Sequence, residues 1–571
     1  MITSGAHGAL PTSHQARSRE EPAPGAHPPR VLDGNDIARD VAYRVVTETL
    51  SRVGGARQPR IEELAYETLY TEEARLAESE EDPRTAADRQ FSSWLRRELA
   101  HADDDRRREL IDVIVERYAA EISGHFDRRV YGIATRLVPA ALGALLRGFG
   151  HGRWLGSPKL FDVDDRVLVD GDVSSLHALS RLGTIVLAPT HVSNLDSVVL
   201  GSAIYRLGLP PFAYGAGLNL FTSRTIGFFM RNLGAYTVDR KKTDPLYRDT
   251  LKEYVTTLLE RGQHNLFFPG GTRSRSGAIE RHLKMGLLGT APIAYRRALA
   301  SGATRPKIFV FPCTMTYPLV LEADTLIDEF LRGEGGPHYV DVRDEFERPE
   351  RWLDFIGSLM KLDHRVYVTL GRPLDVVGND VDDRGVSLDP RGCAVDTRRY
   401  FSVGGKLEAD DARDAAYTRL LASRLLEAYE RDNLVLPTSI VAFVVFALLR
   451  RERQEPDLFR FLRSVAPDAS VGVPVLRAEL ARAISELRKL ADASRIRMPD
   501  DLHVVSADHV MNDALATFAT YHTSPVVERR GTRVFVNNVN LLFYYGNRLS
   551  GYGLLGEPDL VCRRVKGTER S

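Results

Sequence analysis

Between Leu110 and Ile122 the apolar positions Leu110, Ile111, Ile114, Val115, Tyr118 and Ile122 recur at helical spacing with charges between them, which predicts an amphipathic helix with one buried face. That helix belongs to a stretch, residues 35–150, that reads as helical throughout. Within it, Val130 to Phe149 is apolar on most sides, interrupted by Pro139 and flanked by Arg128, Arg129, Arg147 and Arg153. Such a run suits either a core helix or one lying in a lipid interface, and the core reading takes the larger share because arginine flanks are common in this chain.

The pattern changes in residues 151–373. Short β-branched and aromatic runs (Thr184–Ala188, Phe212–Tyr214, Ala235–Val238, Asn265–Phe268, Ile308–Met315, Val366–Thr369) alternate with helical segments such as Leu246–Arg261. Alternation of this kind predicts an α/β domain, a mostly parallel sheet flanked by helices. Ligands in such sheets sit beyond the carboxyl ends of the strands, so the loops after the strands carry the interest. Residues 374–412 are rich in Asp and Gly without periodicity, as a linker or long surface loop would be. Helical spacing returns in residues 413–571, where Leu476, Leu480, Ile484 and Leu487 form a stripe; a hairpin is expected at Pro525–Val536. The expectation is a mostly helical α+β C-terminal domain.

Composition adds limits. The 571 residues are 43% hydrophobic, which excludes global disorder, and 77 basic residues balance 77 acidic ones, which removes any overall pull toward nucleic acid. Three widely spaced cysteines, Cys313, Cys393 and Cys562, argue against a disulfide framework or a zinc site and fit a reducing compartment. Residues 1–34, rich in Pro, Gly, His and Arg, read as a disordered tail without the apolar core of a signal peptide. The longest apolar run, Ile440–Leu449, is about half of what a membrane span needs, so any membrane contact is expected to be peripheral.

Two loops carry candidate chemistry. His191-Val-Ser-Asn-Leu-Asp196 follows the strand TIVLAPT, so that an imidazole at the strand end and a carboxylate in the next helix can meet, the carboxylate fixing the tautomer of a general base. A His-x4-Asp pair alone is weak, since His503 to Asp508 matches too and reads as background. Downstream, Phe267-Phe-Pro-Gly-Gly-Thr-Arg-Ser-Arg-Ser-Gly277 combines glycines with Arg273 and Arg275, the make-up of a phosphate receptor; a solvated turn is the bland rival, and no Walker A pattern is present. The cationic run Arg240-Lys241-Lys242 and Lys284 each read alone as solvated charge, yet with the loop they can build a local basic pocket.

The order HVSNLD, AGLNL (Ala216 to Leu220), LGAYTVDR, FFPGGTRSRSG and IFVFPCTMTY (Ile308 to Tyr317) resembles the glycerol-3-phosphate acyltransferase family, in the membrane-associated branch that also includes dihydroxyacetone-phosphate acyltransferases. The segments YHTSPVV and LLFYYGNRLSGYG are similar to the extra C-terminal domain of its bacterial members. The resemblance implies transfer of a fatty acyl group from acyl-CoA or acyl-carrier protein to the sn-1 hydroxyl of glycerol 3-phosphate, giving lysophosphatidate for phospholipid synthesis. It implies His191 as general base, Asp196 as its orienting partner, Arg273 and Arg275 as phosphate ligands, Arg240 as a second-motif arginine, and Pro312 as a residue shaping the pocket; the loop residues Gly271, Thr272 and Ser274 and the nearby Lys284 are expected to join the phosphate site. The family's Phe-Pro-Glu-Gly-Thr-Arg has Gly270 here in place of its Glu, and Val192 replaces an Arg frequent after the His in bacterial members.

For this chemistry a thioester needs a base, an orienting clamp and oxyanion donors, for which the main-chain N–H groups of Ser193 and Asn194 are the candidates. No metal or other cofactor is expected. Two alternatives stay open: an acyltransferase using dihydroxyacetone phosphate or lysophosphatidate, and a non-catalytic lipid-binding relative. The amphiphilic substrates point to the cytoplasmic face of the membrane, with contact through Val130–Phe149 or Ile440–Leu449.

Overall fold

The computed structural model describes residues 34–52, 61–79, 83–132 without 125 and 128, 167–218, 232–333, and 365–556 without 456, 521 and 523. The expected tail, most of Val130–Phe149, the end of AGLNL and Cys562 lie outside the described residues.

Seven strands form the central sheet: β1 (Val167–Gly171), β2 (Thr184–Pro189), β3 (Ala213–Gly217), β4 (Ala235–Val238), β5 (Asn265–Leu266), β6 (Ile308–Thr316) and β7 (Val366–Leu370). Their order is β1-β7-β6-β2-β5-β3-β4, and every pairing is parallel except β6 with β7. All six residues of β2 are buried, as an unbroken apolar run in the middle of a parallel sheet requires. Its side chains alternate: Ile185 and Leu187 join one core, Val186 and Ala188 the other. Six strand positions expected from the sequence are thus found, and β1, a short acidic strand, is added.

Helices cover both faces. The core below Val186 and Ala188 also holds residues of α1 (Gly34–Arg52), α2 (Ile61–Ala77), α3 (Pro83–Leu99), α4 (Asp104–Ile122), α7 (Pro245–Glu260) and α8 (Thr290–Ala300). The opposite core takes α5 (Val173–Leu182), α6 (Asp196–Arg206), α9 (Ala323–Gly333) and much of the C-terminal region. Helix α7 starts where Asp-Pro signals it: Asp244 accepts the Tyr247 N–H at 3.0 Å and Pro245 opens the first turn. Lys242, expected to contribute to a basic pocket, is instead buried at the joint between α4 and the sheet. Its ammonium pairs with Glu121 at 2.6 Å and sits 4.7 Å from the Tyr118 ring centroid. A buried ammonium needs such partners, which is why it leaves the pocket.

Residues 374–412 carry short strand pairs at 380–381, 387–388 and 394–395 and are pinned to the body. Asp375 accepts the Val377 and Asn379 N–H groups and the Thr397 hydroxyl, and Phe401 is buried against Tyr295 and Tyr417.

The C-terminal region comprises α10 (Asp411–Arg431), α11 (Pro437–Arg453), α12 (Val473–Asp492), α13 (Ala507–Phe518) and α14 (Val539–Gly546), with the expected hairpin at Val527–Arg530 and Arg533–Val536. The stripe Leu476, Leu480, Ile484, Leu487 is buried. Residues Ile440 to Ala447 of α11 are each at most 1% exposed, so the expectation that Ile440–Leu449 touches lipid is corrected. A helix apolar on every side is satisfied by protein all round, here by α12, α13 and α14. No helix among the described residues is long and apolar enough to cross a membrane.

Candidate active site

Strand β2 ends at Pro189, and the turn 190–195 leads into α6, whose first residue is Asp196. A helix N-terminus favours a carboxylate there. Asp196 is fully buried and both its oxygens are used: Oδ2 takes His191 Nδ1 at 2.9 Å, the Val192 N–H at 2.7 Å and the Ser193 N–H at 3.0 Å, while Oδ1 takes the Tyr317 hydroxyl at 2.6 Å. With Nδ1 committed to the carboxylate, Nε2 of His191 is the nitrogen left to accept a proton. The imidazole stacks on Phe268 with ring centroids 4.1 Å apart. Burial lowers the His191 pKa from the ordinary 6.5; Asp196 opposes that, and the guanidiniums of Arg273 and Arg240 reinforce it. The ring is therefore a neutral base at neutral pH.

The glycine loop closes on this histidine. The Ser274 N–H donates to the His191 carbonyl at 2.8 Å, and Ser274 Oγ donates to the Ala278 carbonyl at 2.7 Å. Glu322, at the start of α9, joins the two motifs: it accepts the Ser193 hydroxyl at 2.9 Å and the Asn194 N–H at 2.8 Å, and its Oε1 lies 3.7 Å from Arg273 Nη1. Gly271 has φ of +78°, and a Cβ there would fall 2.6 Å from Lys284 Cδ, so the lysine side chain crosses directly over the loop. His191, Arg273, Ser274 and Lys284 thus share one neighbourhood, with Gly271 and Thr272 in the loop between them.

Other expected residues lie differently. Arg275 is half-exposed and paired with Glu329 of α9 at 3.1 Å, turned from the histidine that Arg273 faces. Arg240 is exposed at the end of β4, close enough for its charge to act on His191. Pro312 is buried within β6 opposite Ala188, where a Cβ on Gly371 would meet its ring at 3.2 Å. The expected oxyanion donors are corrected: the Ser193 and Asn194 N–H groups already bind Asp196 and Glu322, which hold the turn in shape. The Asn194 side-chain nitrogen is buried without a hydrogen-bond partner among the described residues. Asp508 pairs with Arg477 at 2.7 Å, in keeping with the background reading of His503.

Residues 172–316 match the acyltransferase family. The chain carries an acyltransferase domain. Among its relatives, the glycerol-3-phosphate acyltransferase of Pseudomonas paraeruginosa (strain DSM 24068 / PA7) is 27% identical over 351 residues, 59% of this chain and 38% of that protein. The glycerol-3-phosphate acyltransferase of Pseudomonas putida (strain W619) is 33% identical over 198 residues, 34% of this chain and 22% of that protein. The chain therefore spans well under half the length of the curated relatives it matches. These relatives bear out the resemblance read from the motifs.

Four residues of this site were given no role from the sequence: Tyr317, Glu322, Glu280 and Arg548. Glu280 Oε1 accepts the main-chain N–H of His191 at 2.8 Å. Arg548 is half-buried and bonded to neutral acceptors, Asn433 Oδ1 at 2.7 Å and the Met315 carbonyl at 2.9 Å. Burial lowers its pKa from the ordinary arginine value. The C-terminal region also grips the loop: Asn547 donates to the Ser276 carbonyl at 2.9 Å, and a Cβ on Gly277 would fall 2.0 Å from the Tyr544 carbonyl oxygen. Tyr545 receives the Val320 N–H at 3.1 Å, which ties α14 to the turn bearing Tyr317 and Glu322. Among the described residues no cluster of metal-ligating side chains is found.

Proposed function

We propose that this chain is a glycerol-3-phosphate 1-O-acyltransferase, moving a fatty acyl group from an acyl thioester, acyl-CoA or acyl-carrier protein, to glycerol 3-phosphate. The observation that carries the reading is a neutral, carboxylate-anchored His191 joined through Ser274 and Glu322 to the loop that bears Arg273. His191 Nε2 removes the proton of the sn-1 hydroxyl as its oxygen attacks the thioester carbonyl carbon. The carbon–sulfur bond then breaks, and the proton passes from His191 to the departing thiolate. Arg273, with Lys284 and Arg240, holds the phosphate and so decides which hydroxyl faces the base. The Asn194 side-chain amide is the donor still available for the developing oxyanion. No resident cofactor enters the scheme.

Release of CoA from palmitoyl-CoA, measured side by side with glycerol 3-phosphate, dihydroxyacetone phosphate and lysophosphatidate, tests this. The expected result is the highest kcat/KM with glycerol 3-phosphate. Preference for another acceptor would replace the substrate, and binding of acyl-CoA without CoA release under any condition would favour a non-catalytic lipid carrier. Because the donor and product are amphiphiles, the protein is also proposed to work peripherally on the cytoplasmic membrane face. Flotation with anionic liposomes, compared with Leu142→Asp, checks that: if both proteins stay in the soluble fraction, the location is wrong.

A further inference from the structure

Gly270 stands where the motif resemblance expects a glutamate, yet its backbone does not call for glycine. Gly271 and Gly277 have φ of +78° and +74°, whereas Gly270 is absent from the left-handed positions. What excludes a side chain at 270 is Glu280. A Cβ on Gly270 would lie 2.6 Å from Glu280 Oε1 and 2.8 Å from its Cδ, closer than real contacts allow. The carboxyl group of Glu280 therefore fills the space beside Gly270, and its two oxygens are used unequally. Oε1 accepts the His191 N–H at 2.8 Å. Oε2 is buried and has no hydrogen-bond partner among the described residues, although such an atom is costly to leave unsatisfied. The half-buried Arg548 guanidinium acts on the same carboxyl from the C-terminal side.

We propose that Glu280 supplies, from further along the chain, the carboxyl group that the loop lacks at position 270: Oε1 positions His191 through its main-chain N–H, and Oε2 is the atom engaged by a hydroxyl group of the polyol phosphate acceptor. This rests on the acyl-transfer reading above. Glycine at 270 and glutamate at 280 then form a matched pair, each requiring the other. A side chain at 270 would push the Glu280 carboxyl group out of its present place, and a chain without both has no carboxyl group there.

The test uses the full chain as Glu280→Ala, Gly270→Glu and the double variant, each measured for kcat, for the KM of glycerol 3-phosphate by CoA release, and for Tm. Glu280→Ala is expected to raise the acceptor KM and lower kcat/KM by about ten-fold or more, as loss of a hydrogen bond to a charged or strongly polar group does. Gly270→Glu alone is expected to lower Tm by several degrees, because two carboxyl groups contend for one volume. The double variant is expected to recover both Tm and acceptor KM, which a merely structural Glu280 would not produce. Unchanged kinetics in Glu280→Ala, or a double variant no better than Gly270→Glu, overturns the proposal. If the wild-type chain acylates no acceptor, the functional reading falls separately. The Tm arm still decides the pairing of 270 with 280, and a double variant that regains no Tm overturns it.

Discussion

Tyr317 donates its hydroxyl to Asp196 Oδ1 at 2.6 Å, reaching from beyond the end of β6 to the carboxylate that anchors His191. The oxygen facing the imidazole is held by main-chain donors, so Tyr317 is what fixes the other half of the carboxylate. Tyr317→Phe keeps the ring and removes the donor. A hydrogen bond to a charged group contributes about 1.5–3 kcal/mol, so kcat is expected to fall by about ten-fold or more with little change in acceptor KM. A kcat within error of wild type, measured by CoA release, would show that Asp196 is held without the tyrosine.

His191→Ala is expected to lower turnover by about two to four orders of magnitude, the range for a general acid–base group. The wild-type profile of kcat/KM against pH should fall on the acid side below the ordinary histidine range, because burial, Arg273 and Arg240 all lower the His191 pKa. Arg273→Ala removes one of those charges, so its acid limb should move to higher pH while the KM for glycerol 3-phosphate rises. Arg275→Ala, whose guanidinium pairs with Glu329, should leave that limb in place. An Arg273→Ala limb displaced to lower pH would contradict the geometry.

Burial pushes Glu280 up to about 8, so the folded chain keeps a proton there that the unfolded chain releases near the ordinary carboxyl value. The stability linked to that proton is complete below the unfolded pKa and is lost as pH rises from there through about 8. Glu280→Gln cannot ionise, so its stability relative to wild type should increase over that interval. Urea unfolding at about pH 5 and about pH 8 measures this, and a constant difference between the two proteins would mean that Glu280 is charged in the folded state.

Phe446 lies in the middle of α11 with no exposure, its ring 5.1 Å from that of Phe461 and 5.5 Å from that of Phe543. Phe446→Ala should destabilise the chain by about 3–5 kcal/mol, through lost transfer energy and the cavity left behind. Denaturant titration gives the value. A loss below about 1 kcal/mol would point to a surface helix rather than a core one.

Regular segments were the legible part of the fold. Thr184–Ala188, Ala235–Val238 and Ile308–Met315 announced themselves through unbroken apolar or β-branched runs, and α7 through the helical spacing of Leu246–Arg261. Strand β1 was missed because five residues carrying an aspartate give little contrast, and only its pairing with β7 defines it. Ile440–Leu449 was misjudged because hydropathy cannot tell a helix wrapped in protein from one lying on lipid. In the site, His191, Asp196 and Arg273 were readable because they sit at short, ordered spacings behind strands. Tyr317, Glu322 and Arg548 were not, since only the folded sheet and the docked α14 bring them there. For Glu280 a trace was present: a glycine where a carboxyl group was expected is a reason to look nearby for one.

The seat of Gly277 beneath the Tyr544 carbonyl, with Asn547 and Tyr545 tied to neighbouring turns, bears on how this protein can be handled. The segment 172–316 is not a cassette that can be excised and grafted onto another scaffold, since its anion loop is moulded against residues more than two hundred positions away. A proteolytic nick that detached residues 544–547 would then loosen a loop that lies far earlier in the chain.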